Sequence, residues 1–76
     1  MKLELFSIYD GKAQVFNMPF FAASVPVGQR NYMALKKDPL SIVSQFPDDF
    51  RLYHLGSWTD HDSGFELFPS PIIVEI

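Results

Sequence analysis

The ten residues "FRLYHLGSWT", Phe50 to Thr59, constrain the fold more than any other part of the chain. On an extended backbone Phe50, Leu52, His54, Gly56 and Trp58 fall on one side, and Arg51, Tyr53, Leu55, Ser57 and Thr59 on the other. Leucine and aromatic side chains occur on both sides. A strand that is apolar on both sides belongs inside a sheet, flanked by other strands. The turn-rich "DHDSG" then leads into "FELF", which returns as the partner strand of a hairpin.

The first ten residues supply another strand. "KLELFSIYD" alternates Leu3, Leu5, Ser7 and Tyr9 against Lys2, Glu4, Phe6 and Ile8. Asp10–Lys12 reads as a turn, with Gly11 expected to supply a positive φ. "AQVFNM" follows as a short extended segment, irregular at its end because Pro19 has no N–H to donate to a ladder. Within "VFNMPFF", Val15, Phe16 and Phe20 are assigned to the core. Phe21 has three readings: buried, facing a second subunit, or free to stack on a base.

A helix is expected from Ser24, an N-cap residue, with Pro26 tolerated in the first turn. Val25, Gly28, Tyr32 and Leu35 follow one helical stripe. Gly28 is expected to permit close packing on the sheet. Arg30 and Lys37 lie on another side, with Lys36 at its edge. Pro39 disfavours helix at Asp38, so the helix stops at "KKDP". Asp38 is expected to cap a shorter second helix, "PLSIVSQF", with Pro39 at its first position. "PSP" interrupts the last part of the chain, and "IIVEI" reads as a bare apolar strand. The order β, β, α, short α, β, β, with a terminal β, predicts an α+β fold. One mostly antiparallel sheet carries a main helix and a short second helix on one side. Residues 1–76 are expected to form a single domain.

Seventy-six residues without cysteine leave no disulfide or thiolate metal site to staple so small a fold. Chains in this position often bury more surface by self-association, so a homo-oligomer is expected. An apolar fraction of 47% argues against disorder. No apolar run approaches the ~20 residues of a membrane span, and the start does not resemble a signal peptide, so a cytosolic protein is expected. Six basic against nine acidic residues give a net charge of −3, which argues against coating nucleic acid by charge alone.

Catalytic signatures are missing. Asp60, His61 and Asp62 form the one cluster resembling a metal or acid–base site, but alternate loop residues point apart and turn formation explains them. His54 has no acid at a telling spacing and is read as a structural histidine rather than a general base. "PVGQR" has too few glycines to cradle a phosphate. The chain is therefore read as a non-enzyme with no catalytic residues, no cofactor and no metal.

The basic residues offer more. Arg30, Lys36 and Lys37 share or border one helix surface, and Lys12 sits in the first turn. Phe20, Phe21, Tyr32 and Trp58 are rings that can stack on bases beside such a patch, the combination that single-strand binders use. Against this stands the reading of the same rings as core and the cations as a solvated helix end. "PIIVEI" leaves apolar residues on a strand that needs a sheet edge, in its own subunit or in a neighbour.

Two longer runs carry a resemblance. "SIYDGKAQVFNMPFFAASVPVGQRNYMAL", followed by "KDPLSIVSQFPDDFRLYHLGSW", resembles the small non-structural protein of gokushovirus-type microviruses, phages with single-stranded DNA genomes. Ser7, Asp10, Lys12, Ala13, Phe16, Pro19, Phe20 and Phe21 carry the first part; Arg30, Asp38-Pro39 and "FPDDFRLYHLG" carry the rest. The resemblance implies a phage protein of the bacterial cytoplasm that stays outside the virion. It further implies a part in genome replication or packaging, with DNA binding among its means and no catalytic residues. Under this reading Arg30, Lys36, Lys37, Lys12 and Phe21 contact single-stranded DNA, and the chain self-associates, with the C-terminal strand as one route. The alternative is a protein-interaction module that engages a host or phage replication protein through an exposed apolar edge.

Overall fold

The structure, a computed structural model, describes residues 1–62 and 64–74. Five strands form one antiparallel sheet: β1 (Lys2–Asp10), β2 (Val15–Phe16), β3 (Phe20–Ala22), β4 (Phe50–Thr59) and β5 (Gly64–Ile73). Between β3 and β4 run helices α1 (Val25–Lys37) and α2 (Ile42–Gln45) and a 3₁₀ turn, Pro47–Asp49. Strand order is β2-β1-β4-β5, with β3 also on β1. The segment Phe50–Thr59 is therefore internal, between β1 and β5, as its two apolar sides predict. The fold is α+β, with one main and one short helix.

Three irregularities decide which way the side chains point. Phe6 pairs with His54 and Leu5 with Gly56, so Leu55 is an extra residue on β4. A one-residue insertion reverses the alternation beyond it. Phe50, Leu52 and His54 thus face one side, but Gly56 and Trp58 face the other, not the common face that simple alternation gives. The second irregularity lies at "NMP". Tyr9 pairs with Phe16 and Phe6 with Phe20, three steps along β1 against four along its neighbour. β2 and β3 are in effect one edge strand with an extra residue, and Phe16 and Phe20 point to opposite faces. The third is in β5, where Gly56 pairs with Leu67 and His54 with Ile72. Two steps on β4 face five on β5, and the "PSP" stretch bows outward while the strand continues through it.

One sheet face packs against the helices. Phe6, Ile8, Ala22, Tyr32, Val43, Phe50 and Leu52 form the core, with Phe20, Val25, Val27 and Val74 packed around it. Gly28 is buried directly on Phe6: a Cβ at that position would come within 2.5 Å of the ring. Tyr32 is buried on the same stripe and its hydroxyl donates to the Phe50 carbonyl (3.1 Å). Leu35, expected on this stripe, is 38% exposed. Ser24 caps α1 by accepting from the Val27 amide (3.3 Å).

Local signals were met in two places by other residues than those expected. Asp38 does not cap α2; its carboxylate accepts from the Leu40 amide (3.0 Å), and Ser41 is the N-cap, accepting from Val43 (3.1 Å). Pro39 lies in the turn between the helices, which shortens α2 to Ile42–Gln45. After β1 the left-handed residue is Gln14 (φ 60°), not Gly11. Gly11 instead closes on the 3₁₀ turn, its amide donating to the Asp49 carbonyl (2.7 Å).

Among the described residues no helix lies on the opposite sheet face. Leu3, Leu5, Ser7 and Tyr9 of β1 share it with Trp58, Gly56, Tyr53 and Arg51 of β4, with Phe65, Leu67 and Ile73 of β5, and with Phe16 and Phe21. Val15 and Phe16, expected in the core, are 53% and 44% exposed. The Cα radius of gyration, 12.7 Å, exceeds the roughly 11 Å of a compact chain of this length. The molecule is elongated, with principal-axis extents of 39 × 22 × 19 Å.

Candidate nucleic-acid interface

Along the uncovered face the aromatic side chains gather into two groups. Near the Asp10 end of β1, Tyr9 packs on Phe16 (centroids 4.8 Å) and Tyr53 (6.0 Å), and Phe16 on Tyr53 (5.5 Å), all at steep interplanar angles. Edge-on packing of this kind is the favoured geometry for ring pairs. Near the other end the ring of Phe21, from one edge of the sheet, lies 6.2 Å from that of Phe65, from the opposite edge. The sheet curls enough for the two to meet over Leu5, which is thereby buried.

Arg51 is placed where the open face turns the corner to the helices. One guanidinium nitrogen donates to the carbonyls of Asp48 (3.1 Å) and Phe50 (2.8 Å), which fixes the group at the base of β4. It lines two adjoining depressions. The first, about 430 Å³, also takes in Tyr32, Lys36, Pro47, Asp48 and Val74. The second, about 380 Å³, takes in Tyr9, Gly11, Lys12, Asp48, Asp49 and Tyr53. Lys36 lies with its ammonium 5.8 Å from the centre of the Tyr32 ring, a cation–π contact. Burial raises the Tyr32 hydroxyl above the ordinary tyrosine value, and the Arg51 charge pulls it partly back. Among the described residues no carboxylate pairs with Lys12, Lys36 or Arg51 within salt-bridge distance.

The residues singled out from sequence divide between these places. Lys36 and Lys12 border the two depressions. Arg30 and Lys37 are exposed, and each sits well round the helix from the buried Tyr32, at about 100° per residue. Phe21 is on the other side of the sheet from α1, so the helix cations and this ring do not form one patch. Tyr32 is buried and Phe20 stacks on Phe6 (5.6 Å) within the core, which leaves neither free for a base. Sequence alone does not single out Arg51: it stands two residues before Tyr53, but strand register is what sets it opposite Tyr9.

The remaining polar clusters have local explanations. The His54 Nε2–H donates to the Glu4 carboxylate (2.8 Å), with the imidazole stacked on Phe6 (4.9 Å) and edge-on to Phe68 (4.8 Å). This pair ties β1 to β4 on the helix side. Asp62 accepts from the Thr59 hydroxyl and the Gly64 amide, both at 3.0 Å, and so shapes the hairpin. Asp60 pairs with the N-terminal ammonium (2.7 Å), a hydrogen bond that holds its carboxyl below the usual aspartate range. No group of metal-binding side chains occurs among the described residues, and none of their helices is long and apolar enough to cross a membrane.

The chain matches the family model described as Phage ORF5 protein over residues 3–75 and belongs to that family. No curated protein and no solved structure matches it.

Proposed function

We propose that this protein is a non-enzymatic accessory of a gokushovirus-type single-stranded DNA phage that binds single-stranded DNA in the cytoplasm of its bacterial host. Its task there is genome replication or packaging. One observation carries the reading: Arg51 joins two depressions, with Lys36 in one and Lys12, Tyr9 and Tyr53 in the other. A backbone phosphate between Lys36 and Arg51 and the next near Lys12 would leave a base against the Tyr53–Phe16 edge of the ring group. Cations tracking the backbone beside aromatic platforms are what single-strand binding without sequence readout requires. Three cations, opposed by Asp48 in both depressions and Asp49 in the second, make a weak, salt-sensitive site. Arg30 and Lys37 add attraction at longer range rather than contacts.

Fluorescence anisotropy of a labelled oligothymidine across a salt series tests this. The expected slope of log K against log salt is about −2 per chain, roughly 0.7 for each of three phosphate contacts. Arg51→Ala should lower it by about 0.7 while Arg51→Lys keeps it, and Tyr53→Ala should weaken binding by about 1–3 kcal/mol. Absence of binding at low salt, or binding indifferent to Arg51 and Lys12 substitutions, would remove the reading. It would favour a protein partner on the apolar surface instead.

A further inference from the structure

We infer that the half of the open face centred on Leu5 pairs with the same half of a second copy of this chain, giving a two-fold dimer. The surface consists of Leu3, Leu5, Phe21, Trp58, Phe65 and Leu67. Phe65 is 62%, Leu67 63% and Phe21 44% exposed. These three side chains leave on the order of 300 Å² of apolar surface in water, within the range of the largest patch a monomer exposes. With the partly exposed Leu3 and Trp58 the patch comes to about the apolar share, a little over half, of the roughly 800 Å² per partner of a standard interface.

A second copy of the chain fits this surface. None of the six positions is charged, so two chains that each carry −3 can meet here without opposing charges at the contact. An isologous interface requires one patch to complement itself, which an uncharged apolar patch does. The Phe21–Phe65 pair stands over the middle of the face and supplies a raised ring contact at the centre of the interface. The outer edge of β5 is a poorer route, because Pro69 and Pro71 interrupt the backbone donors that a strand-to-strand contact uses. The chain's small core gives the pairing a stabilising role as well. The inference stands apart from DNA binding, since the Arg51 depressions lie at the opposite end of the strands.

Sedimentation equilibrium between low and high micromolar concentration tests it. Wild type should approach twice the 8.7 kDa chain mass, and Phe65→Ser with Leu67→Ser should remain at 8.7 kDa with unchanged circular dichroism. Phe21→Ser, on the other edge of the sheet, should also weaken the dimer at least tenfold. Ile72→Ser, equally exposed but on the helix-side face, should leave it intact. Trp58 emission offers a second readout, shifting to the red as the wild type is diluted through the transition. A wild-type protein that stays at 8.7 kDa throughout would overturn the inference. A dimer insensitive to Phe65, Leu67 and Phe21, or one lost with Ile72→Ser, would overturn it too.

Discussion

The two faces of the sheet are made from the same strands, residue by alternate residue, and end in opposite conditions. On the helix side Phe6 is fully buried, met by Gly28 at a distance that excludes any side chain there. On the other side Phe16, Phe21 and Phe65 are comparable rings at comparable positions, yet each keeps 44% or more of its surface in water. Composition does not separate them; what differs is whether the chain has a second layer to place on top. With 76 residues it has one helix long enough to cover a sheet, and it spends that helix on one face.

The contrast can be broken most severely at the rings themselves. Phe6→Ala should remove about 3–5 kcal/mol. That is most or all of the stability of a domain this size, so circular dichroism at 25 °C should show an unfolded or barely folded chain. Phe65→Ala should change monomer stability by less than about 1 kcal/mol in denaturant titrations at low protein concentration. Similar losses at the two sites would mean that the faces do not differ as described.

Gly56 sharpens the same contrast from the backbone. Its φ of 157° and its contact with β5 leave no room on the open face: a Cβ would lie 2.2 Å from the Glu66 carbonyl oxygen. Gly56→Ala should cost about 1–3 kcal/mol, read as a lower denaturation midpoint.

Tyr32 sits at the join between helix and sheet, and its effect is smaller. Tyr32→Phe forfeits the hydrogen bond to the Phe50 carbonyl, worth about 1 kcal/mol. Because burial raises the folded-state value, the unfolded chain ionises first as pH rises. Stability is thus complete below the ordinary tyrosine range and falls through and above it, and Tyr32→Phe should flatten that alkaline decline. The smallest effect is expected at Asp60. Its lowered value contributes stability above the usual aspartate range that is lost as pH falls through the folded-state value. The difference between wild type and Asp60→Asn should therefore be present at neutral pH and vanish in acid.

Much of this architecture was legible in the sequence, for reasons that also mark where legibility stopped. The strands at Lys2–Asp10 and Phe50–Thr59 show period-2 patterning, Ser24 announces α1, and Gly28 announces a close approach. These signals are local. Pro19 marks an irregularity at "NMP" and Gly56 stands beside the extra Leu55, but neither tells which face the following side chains take, and each extra residue turns them to the other one. That is why Phe16 was expected inside and is found outside. The site suffered similarly. Lys12 and Lys36 could be nominated as exposed cations, but Arg51, which joins them, and Glu4, which binds His54 from 50 residues away, depend on strand register. The nomination of Phe21 beside the helix cations rested on sequence nearness, whereas the sheet lies between them.

The most direct test of a working open face is to follow backbone amide resonances of the protein during titration with an unlabelled oligothymidine at low salt. Shifts should concentrate at Lys12, Lys36, Arg51, Tyr9 and Tyr53, with little change around Phe65 and on the outer side of α1. Shifts confined to Arg30 and Lys37, or no shifts at all, would contradict it.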